Sequence, residues 1–309
     1  MVTGRANDNI KSLGEQFAFH ETLEFSIQLY QSNIFVLDRS YLSTQQGRLS
    51  ESAVCLALTG VENAMEEECA QWERLAGEFA EGENFYQAAN QYKQAAGCYL
   101  DRVIEMTRKA AEYYHMYAEE KVSADDHKAA ATGYFEAATQ YKQVSEFDTA
   151  LTLFEHAAEY ALLEDLTETA AQAYLWAAFA CHKLGNAEYF LTCAENMGNL
   201  YDKAAEKAVE QGKPQRAVID LSLAAMGFAT LEKTADAKDR IEKARRAIEK
   251  TRGEWLETLV SFVEALSENE LDDADDYFKA FKGQDTIQEL MGACLDILQE
   301  NQKKRRRGI

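Results

Sequence analysis

The chain has 309 residues, 47% of them hydrophobic and 28% charged, with 16 glycines and a single proline. So little turn punctuation excludes an all-β sandwich, and the apolar content excludes a disordered chain, a collagen and a disulfide-stapled mini-domain. Thirty-two bases against 53 acids leave a net charge of −21; a surface of that sign repels phosphate backbones, so no nucleic-acid partner is expected.

The N-terminus, Met1-Val-Thr-Gly-Arg5, is followed by polar sequence and shows neither a signal peptide nor a myristoylation glycine. Asn7–Gln31 and Ser40–Glu67 are expected as helices. Between them Ile34, Phe35, Val36 and Leu37 have two readings, a packed inter-helix connection or an exposed apolar tip that touches a membrane or partner. Cys55, Cys69, Cys98, Cys181, Cys193 and Cys294 are scattered through helical apolar patterns, which predicts reduced core thiols and a cytoplasmic protein, peripheral at membranes at most. The longest nearly apolar stretch, Ala170–Cys181, is too short to cross a bilayer.

From residue 88 onward one frame recurs. Ala88, Tyr92, Ala95 and Ala96 sit at offsets 0, 4, 7 and 8. The same offsets pick out Ala110, Tyr114, Tyr117, Ala118; Ala130, Tyr134, Ala137, Ala138; and Ala150, Phe154, Ala157, Ala158. They continue with Ala170, Tyr174, Ala177, Ala178; Phe190, Ala194, Met197, Gly198; Ala217, Leu221, Ala224, Ala225; and Ala237, Ile241, Ala244, Arg245. Glu68, Trp72, Leu75 and Ala76 extend it backwards weakly. The steps are 22, 20, 20, 20, 20, 27 and 20 residues.

These offsets fall on one face of a helix. A 20-residue step is one helix plus a short turn, so neighbours run antiparallel and pairs form hairpins of about 40 residues. Small residues at 7 and 8 let axes approach, and the large residue at 4 fills the gap. The expected fold is all-α: a right-handed α-α superhelix, a tetratricopeptide-like solenoid over residues 1–252. Turn chemistry agrees. Ser123–Asp126 and Ser145–Asp148 precede helices, Gly185-Asn186 separates two, and Pro214 follows Gly212 at a helix start.

Residues 253–302 change character. Trp255, Leu259, Phe262, Val263 and Leu266 form one apolar face, Ala274, Tyr277, Phe278 and Phe281 a second. Ile287, Leu290, Met291, Cys294, Leu295 and Leu298 form a third, so a C-terminal helical bundle is expected, with 303–309 as a basic tail. Nine acids and no base occupy Gly253–Phe278, directly after seven bases against three acids in Lys238–Arg252. Opposite blocks at one end suggest charge-matched docking, while the tail reads as an anionic-lipid contact, a nucleic-acid contact or a solubilising fringe.

No catalytic chemistry is legible, so the chain is read as no enzyme, with no cofactor, metal or small-molecule substrate. Glycine-rich phosphate loops, Cys-x-x-Cys and His-Glu-x-x-His are missing, and Asp272–Asp276 lacks the glycine and glutamate of a calcium loop. Cys181-His182 diverge by 100° on a helix, and His20, His115, His127 and His156 share no ligand spacing.

The repeat text Tyr86-Gln-Ala-Ala-Asn-Gln-Tyr-Lys-Gln-Ala-Ala96 and Phe147–Ala158, with Phe262–Asp272 and Ile287–Leu298 in that order, resembles the soluble NSF attachment proteins (SNAPs) over residues 80–300. The resemblance implies a non-catalytic adaptor that lays its concave face along a helical (SNARE-type) membrane-fusion bundle and recruits an AAA+ ATPase for its disassembly. It makes Glu264, Glu268, Glu270 and Asp272 ATPase contacts, supported by Leu295 and Leu298. It makes Ile34–Leu37 the membrane tip. With few bases before Lys203, a fusion bundle or other anionic partner is expected at Lys238, Arg240, Lys243, Arg245 and Arg246. The chain departs from the family in ending Lys-Lys-Arg-Arg-Arg-Gly-Ile309 where the family is acidic. The alternative is a general tetratricopeptide-like scaffold with a peptide or helix in its groove.

Overall fold

The computed structural model describes residues 67–99, 102–251 and 253–307, and among them are twelve helices and no strand. Residues 67–81 form α1, followed by α2 (Phe85–Cys98), α3 (Val103–Ser123), α4 (His127–Gln143), α5 (Phe147–Leu163) and α6 (Thr167–Lys183). Then come α7 (Ala187–Glu210), α8 (Pro214–Thr230), α9 (Thr234–Ile248), α10 (Glu254–Glu268), α11 (Leu271–Ala280) and α12 (Asp285–Arg307). The helices expected over Asn7–Gln31 and Ser40–Glu67, the tip Ile34–Leu37 and Cys55 lie outside the described residues.

From α2 to α9 each helix packs on the next, which is the expected antiparallel array. Its period is set at the turns. Glu83, Asp125, Ser145, Asp165, Gly185, Gly212 and Glu232 all have φ between 53° and 70°. In each case the following residue's N–H donates at 2.9 Å to a carbonyl in the last turn of the preceding helix, as Asp126 does to Lys121, Asn186 to Cys181 and Lys233 to Phe228. That is a Schellman closure in which the closing residue also starts the next helix. At Asn84, Asp126 and Asn186 the same residue's side chain caps it, Asp126 accepting from Ala129 N–H at 3.1 Å. Seventeen helical residues plus three in the turn give the 20-residue step of α4, α5 and α6.

The frame residues form the core. All are buried except Tyr117, Tyr174 and Arg245, which sit at its margin. Of the weak copy in α1 only Ala76 is buried. Gly198 and Gly227 mark the closest helix approach: a Cβ on Gly227 would lie 2.6 Å from the Ala194 carbonyl oxygen, and one on Gly198 would lie 3.3 Å from that of Ala224.

These contacts fix the register of α7 against α8. Since α7 has 24 residues where α8 has 17, its first two turns run on past the end of α8. The step so created is filled by α12, which crosses the C-terminal ends of α4, α6 and α8. Its Glu289 meets Lys142 at 3.5 Å, its Asp296 meets His182 at 3.3 Å and its Cys294 thiol contacts the Thr230 hydroxyl. In consequence α8 is enclosed on every side, with every residue from Asp220 to Thr230 buried.

The expected bundle forms, but one apolar core runs from Ala89 through Leu298 across the 252/253 boundary. The segment 303–307, expected as a separate tail, continues α12 as helix to Arg307. One thiol assignment is corrected. Cys69 and Cys98 form a disulfide, with Cα atoms 5.4 Å apart, because the α1–α2 turn brings together residues 29 apart in sequence. Cys181, Cys193 and Cys294 are buried free thiols.

Asp220 is the unusual core residue. It is fully buried, accepts from Arg216 Nε at 2.8 Å, and its Oδ1 has no partner. Burial pushes its carboxyl up to about 6, against the lowering effect of Arg216. The native state therefore holds this proton more tightly than the unfolded chain, so the ionised form is a penalty that is absent below the unfolded pKa and complete above about 6. Asp220→Asn keeps an acceptor for Arg216 and removes the ionisation. We expect it to raise stability by about 2 kcal/mol at pH 8 and to give no gain at pH 4, in urea unfolding at the two pH values.

The turns generate a second expectation. Ser145→Gly relieves a left-handed non-glycine and should stabilise by about 1 kcal/mol, whereas Gly185→Ala should destabilise by about the same amount. Gly227→Ala should cost about 3 kcal/mol, because its obstruction is backbone. Thermal denaturation followed by circular dichroism reads all three.

Candidate partner-binding face

The charged blocks meet along the α9–α10 packing. Lys238 Nζ lies 3.0 Å from Glu268, and Arg245 donates to Glu264 at 2.6 Å and to Ser261 Oγ at 3.1 Å. Arg240 grips Asp202 of α7 at 2.6 Å and 3.1 Å through two nitrogens, with its guanidinium over the Phe228 ring. Its pKa is raised, chiefly by Asp202. Lys243 pairs with Asp239 at 2.7 Å, which holds that carboxyl below its usual range. Arg246 pairs with Glu242 at 3.3 Å. All five cations expected to face an anionic partner are thus engaged within the chain.

The acids divide into two sets. Glu264 and Glu268 are partly exposed but carry the α9 counter-ions. Glu270 sits at the α10–α11 turn, and Asp272 and Asp273 occupy the first turn of α11. These three are exposed and have no cation partner among the described residues, whereas Asp275 pairs with Lys279 and Asp276 also acts on that lysine. The turn forms because Asn269 takes φ 60° and the Glu270 N–H closes onto the Ala265 carbonyl at 2.9 Å. Two acids at the start of α11 also suit the positive end of the helix dipole. Leu295 and Leu298 are 4% and 5% exposed, so they hold α12 in place and offer little surface.

Beside this turn a polar notch of about 170 Å³ opens, lined among others by Glu232, Ser267, Asn269, Leu298, Asn301 and Arg305. Arg305 forms an ion pair with Glu232 across it. Around Arg305, Lys303, Lys304, Arg306 and Arg307 are exposed and have no carboxylate partner among the described residues. Asn269 of the α10–α11 turn and Arg305 of the α12 end therefore line one notch. Sequence reasoning missed Glu232, Asn301 and Arg305 as its lining, because three segments contribute and none carries a motif.

The remaining candidates do not converge. Cys181 points into the core against Cys193, whose thiol is held well above its usual range by the Cys181 sulfur and by burial, while His182 turns to Asp296. His115 and His156 both abut Tyr134, which stacks on Tyr160 at 5.6 Å, and His127 stacks on Tyr160 in turn. No group of three potential metal ligands forms among the described residues, and Asp272–Asp276 is helix, not loop. Lys142 lies 3.3 Å from the Trp176 ring centre, and burial lowers its pKa. With its bond to Glu289 it fastens α12 to α4. No described helix is long and apolar enough to cross a membrane.

Folded in this way, the chain is a helical-repeat scaffold with a charged C-terminal face. No family model matches it. It is 29% identical over 103 residues to the vesicular-fusion protein SEC17 of Coprinopsis cinerea, a match covering 32% of this chain and 34% of that protein. The chain thus spans about a third of the length of the curated relative it matches. Among solved structures, a Rap protein complexed with competence and sporulation factor aligns over 94% of this chain and 92% of its own, at 15% identity and a TM-score of 0.40. The repeat architecture itself rests on the helix order, turns and packing described above.

The ion pairs of the face are exposed and hence weak. A double-mutant cycle of Arg245→Ala and Glu264→Ala should return a coupling below about 1 kcal/mol that shrinks further in high salt, measured by urea unfolding. A larger, salt-independent coupling would make this pair a structural fastening unavailable to any partner.

Proposed function

We propose that the protein is a non-catalytic SNAP-like adaptor in membrane trafficking, which binds a helical fusion bundle and recruits an AAA+ ATPase through its C-terminal face. The observation that carries this reading is the exposed acidic α10–α11 turn, with Glu270, Asp272 and Asp273 free of counter-ions among the described residues, beside a terminal helix whose apolar face is buried. The partial likeness to a vesicular-fusion protein supports it. The ATPase contact then falls mainly on Glu270 and Asp272, while Glu264 and Glu268 join it by exchanging Arg245 and Lys238 for partner cations. The fusion bundle is assigned to the repeat face, and the membrane contact to Ile34–Leu37. A general peptide-binding scaffold is the competing reading, and on it the C-terminal acids are dispensable.

The test is binding of a purified NSF-type hexamer to the immobilised protein at low salt. Glu270→Lys with Asp272→Lys should weaken binding at least about tenfold. Glu264→Lys with Glu268→Lys should do so less cleanly, since each new lysine also faces Arg245 or Lys238. Circular dichroism should be unchanged in both. Binding that ignores all four substitutions would leave the scaffold reading in place.

A further inference from the structure

The described part of the array begins with a small core of its own. Ala76 of α1 packs with Tyr92, Ala95 and Ala96 of α2 and with Met106 and Ala110 of α3, apart from the long core that runs from Ala89 to Leu298. Within α1 only Cys69 and Ala76 are buried. So little burial does not by itself hold a helix of about four turns against its neighbours. The position of α1 therefore depends on how its two ends are tied.

One end is closed by the turn at Glu83 and Asn84. At the other, Cys69 in the first turn of α1 is bonded to Cys98, the last residue of α2. Beside that bond Glu73 accepts from two nitrogens of Arg102 at 2.8 Å and from the Tyr99 hydroxyl at 3.0 Å. The Glu73–Arg102 pair is partly exposed, so salt weakens it. Tyr99 leaves α2 extended, at φ −76° and ψ 133°, so this end is not locked by the left-handed closure found at seven other turns. The disulfide is thus the salt-independent fastening at this end, and it closes a span of 29 residues. It is also one that chemistry can open. Cys98 is only partly buried, whereas Cys181 and Cys193 meet inside the long core at 0% and 1% exposure.

We propose that the Cys69–Cys98 bond is a redox-controlled fastening: small external thiols reduce it in the folded protein, and reduction frees α1 while the long core stays folded. An external thiolate attacks the Cys98 sulfur, forms a mixed disulfide there and displaces the Cys69 thiolate, which takes up a proton. A second external thiolate attacks the external sulfur of that mixed disulfide and displaces the Cys98 thiolate, which is protonated in turn. Two external thiols thus leave as one disulfide, and their two electrons reside in two protein thiols. Access is given by local opening of α1, which disrupts few buried contacts and none of the long core. The inference does not depend on the adaptor reading.

The test treats the full chain, purified in air, with reduced glutathione in the absence of denaturant. Peptide mapping after alkylation reads the cysteines, and hydrogen exchange read by mass spectrometry follows each helix. Before treatment Cys69 and Cys98 should be found linked. Afterwards both should alkylate, while Cys181, Cys193 and Cys294 stay protected. Exchange of the amides of residues 67–81 should then rise at least about tenfold, with α4 to α9 unchanged. A chain carrying Cys69→Ser and Cys98→Ser should show the fast exchange with or without glutathione. The proposal is overturned if the two cysteines are not linked in the purified protein, or if the bond resists glutathione until urea unfolds the chain. Equal exchange of residues 67–81 in the oxidised and reduced wild-type protein overturns it too, as does loss of helical circular dichroism throughout the chain on reduction. None of these outcomes involves the ATPase or a fusion bundle, so this inference and the adaptor reading fail separately.

Discussion

The closure of a helix by the residue that starts the next, at seven of the turns between α1 and α9, is the constraint on which the rest of this molecule depends. One left-handed residue and one bond to the previous helix reverse the chain within three residues. That leaves no slack in which neighbouring helices could slide, so the register between them follows from helix length. Alanines at offsets 0, 7 and 8 then meet the adjoining helix at the same height in successive repeats, and a large residue at offset 4 fills the gap that they leave. Five of the seven left-handed positions at these repeat turns are not glycine, which costs about 1 kcal/mol each. Such a cost is tolerated because a turn of any other length would displace every later contact.

From the same rule comes the largest irregularity. Seven residues beyond the usual 17 lengthen α7 by two turns, and the turns cannot absorb the excess. The array is therefore stepped at α8, and the uncovered flank of α6 and the end of α8 become apolar surface that must be buried. The aliphatic helix α12 meets that need, which explains why the C-terminal helices share the repeat core. The Asp220 carboxylate is tolerable in this enclosed region only because Arg216 and Glu168 keep a polar edge at the start of α8.

The repeat was legible in sequence because its period is written in side chains: the 20-residue steps and the 27-residue exception reappear as helix lengths. Turn residues were legible where they bore side-chain signals, as at Asp126, Gly185, Asn186 and Pro214, and not where an ordinary residue such as Glu232 is forced left-handed by its neighbours. The Cys69–Cys98 bond was not legible, since it depends on how a short turn aims two helices. Nor was the fate of the charged blocks. Sequence showed seven bases followed by nine acids and suggested an external partner, but adjacent antiparallel helices bring such blocks onto each other first. Five expected contacts on α9 and two on α10 are thereby neutralised within the chain. The residues at the α10–α11 turn and the α12 end escaped because they lie at helix ends, where no neighbouring helix runs alongside.

This sorting of charges bears on how the face can work. A cation in an exposed pair adds little to folding, so a partner that supplies a better-placed cation can displace it at small cost. The acids at the turn need no such exchange and are available from the first encounter. Attraction at the turn would therefore act first and set the orientation, and Glu264 and Glu268 would be recruited afterwards, as Arg245 and Lys238 are released towards solvent. Arg305 lines the same notch as Asn269 of the turn, so a partner that is merely positive would meet a guanidinium there beside the acids. Discrimination then comes from the order of charges across the notch more than from their number, and a mostly acidic protein can in this way be selective without a deep pocket.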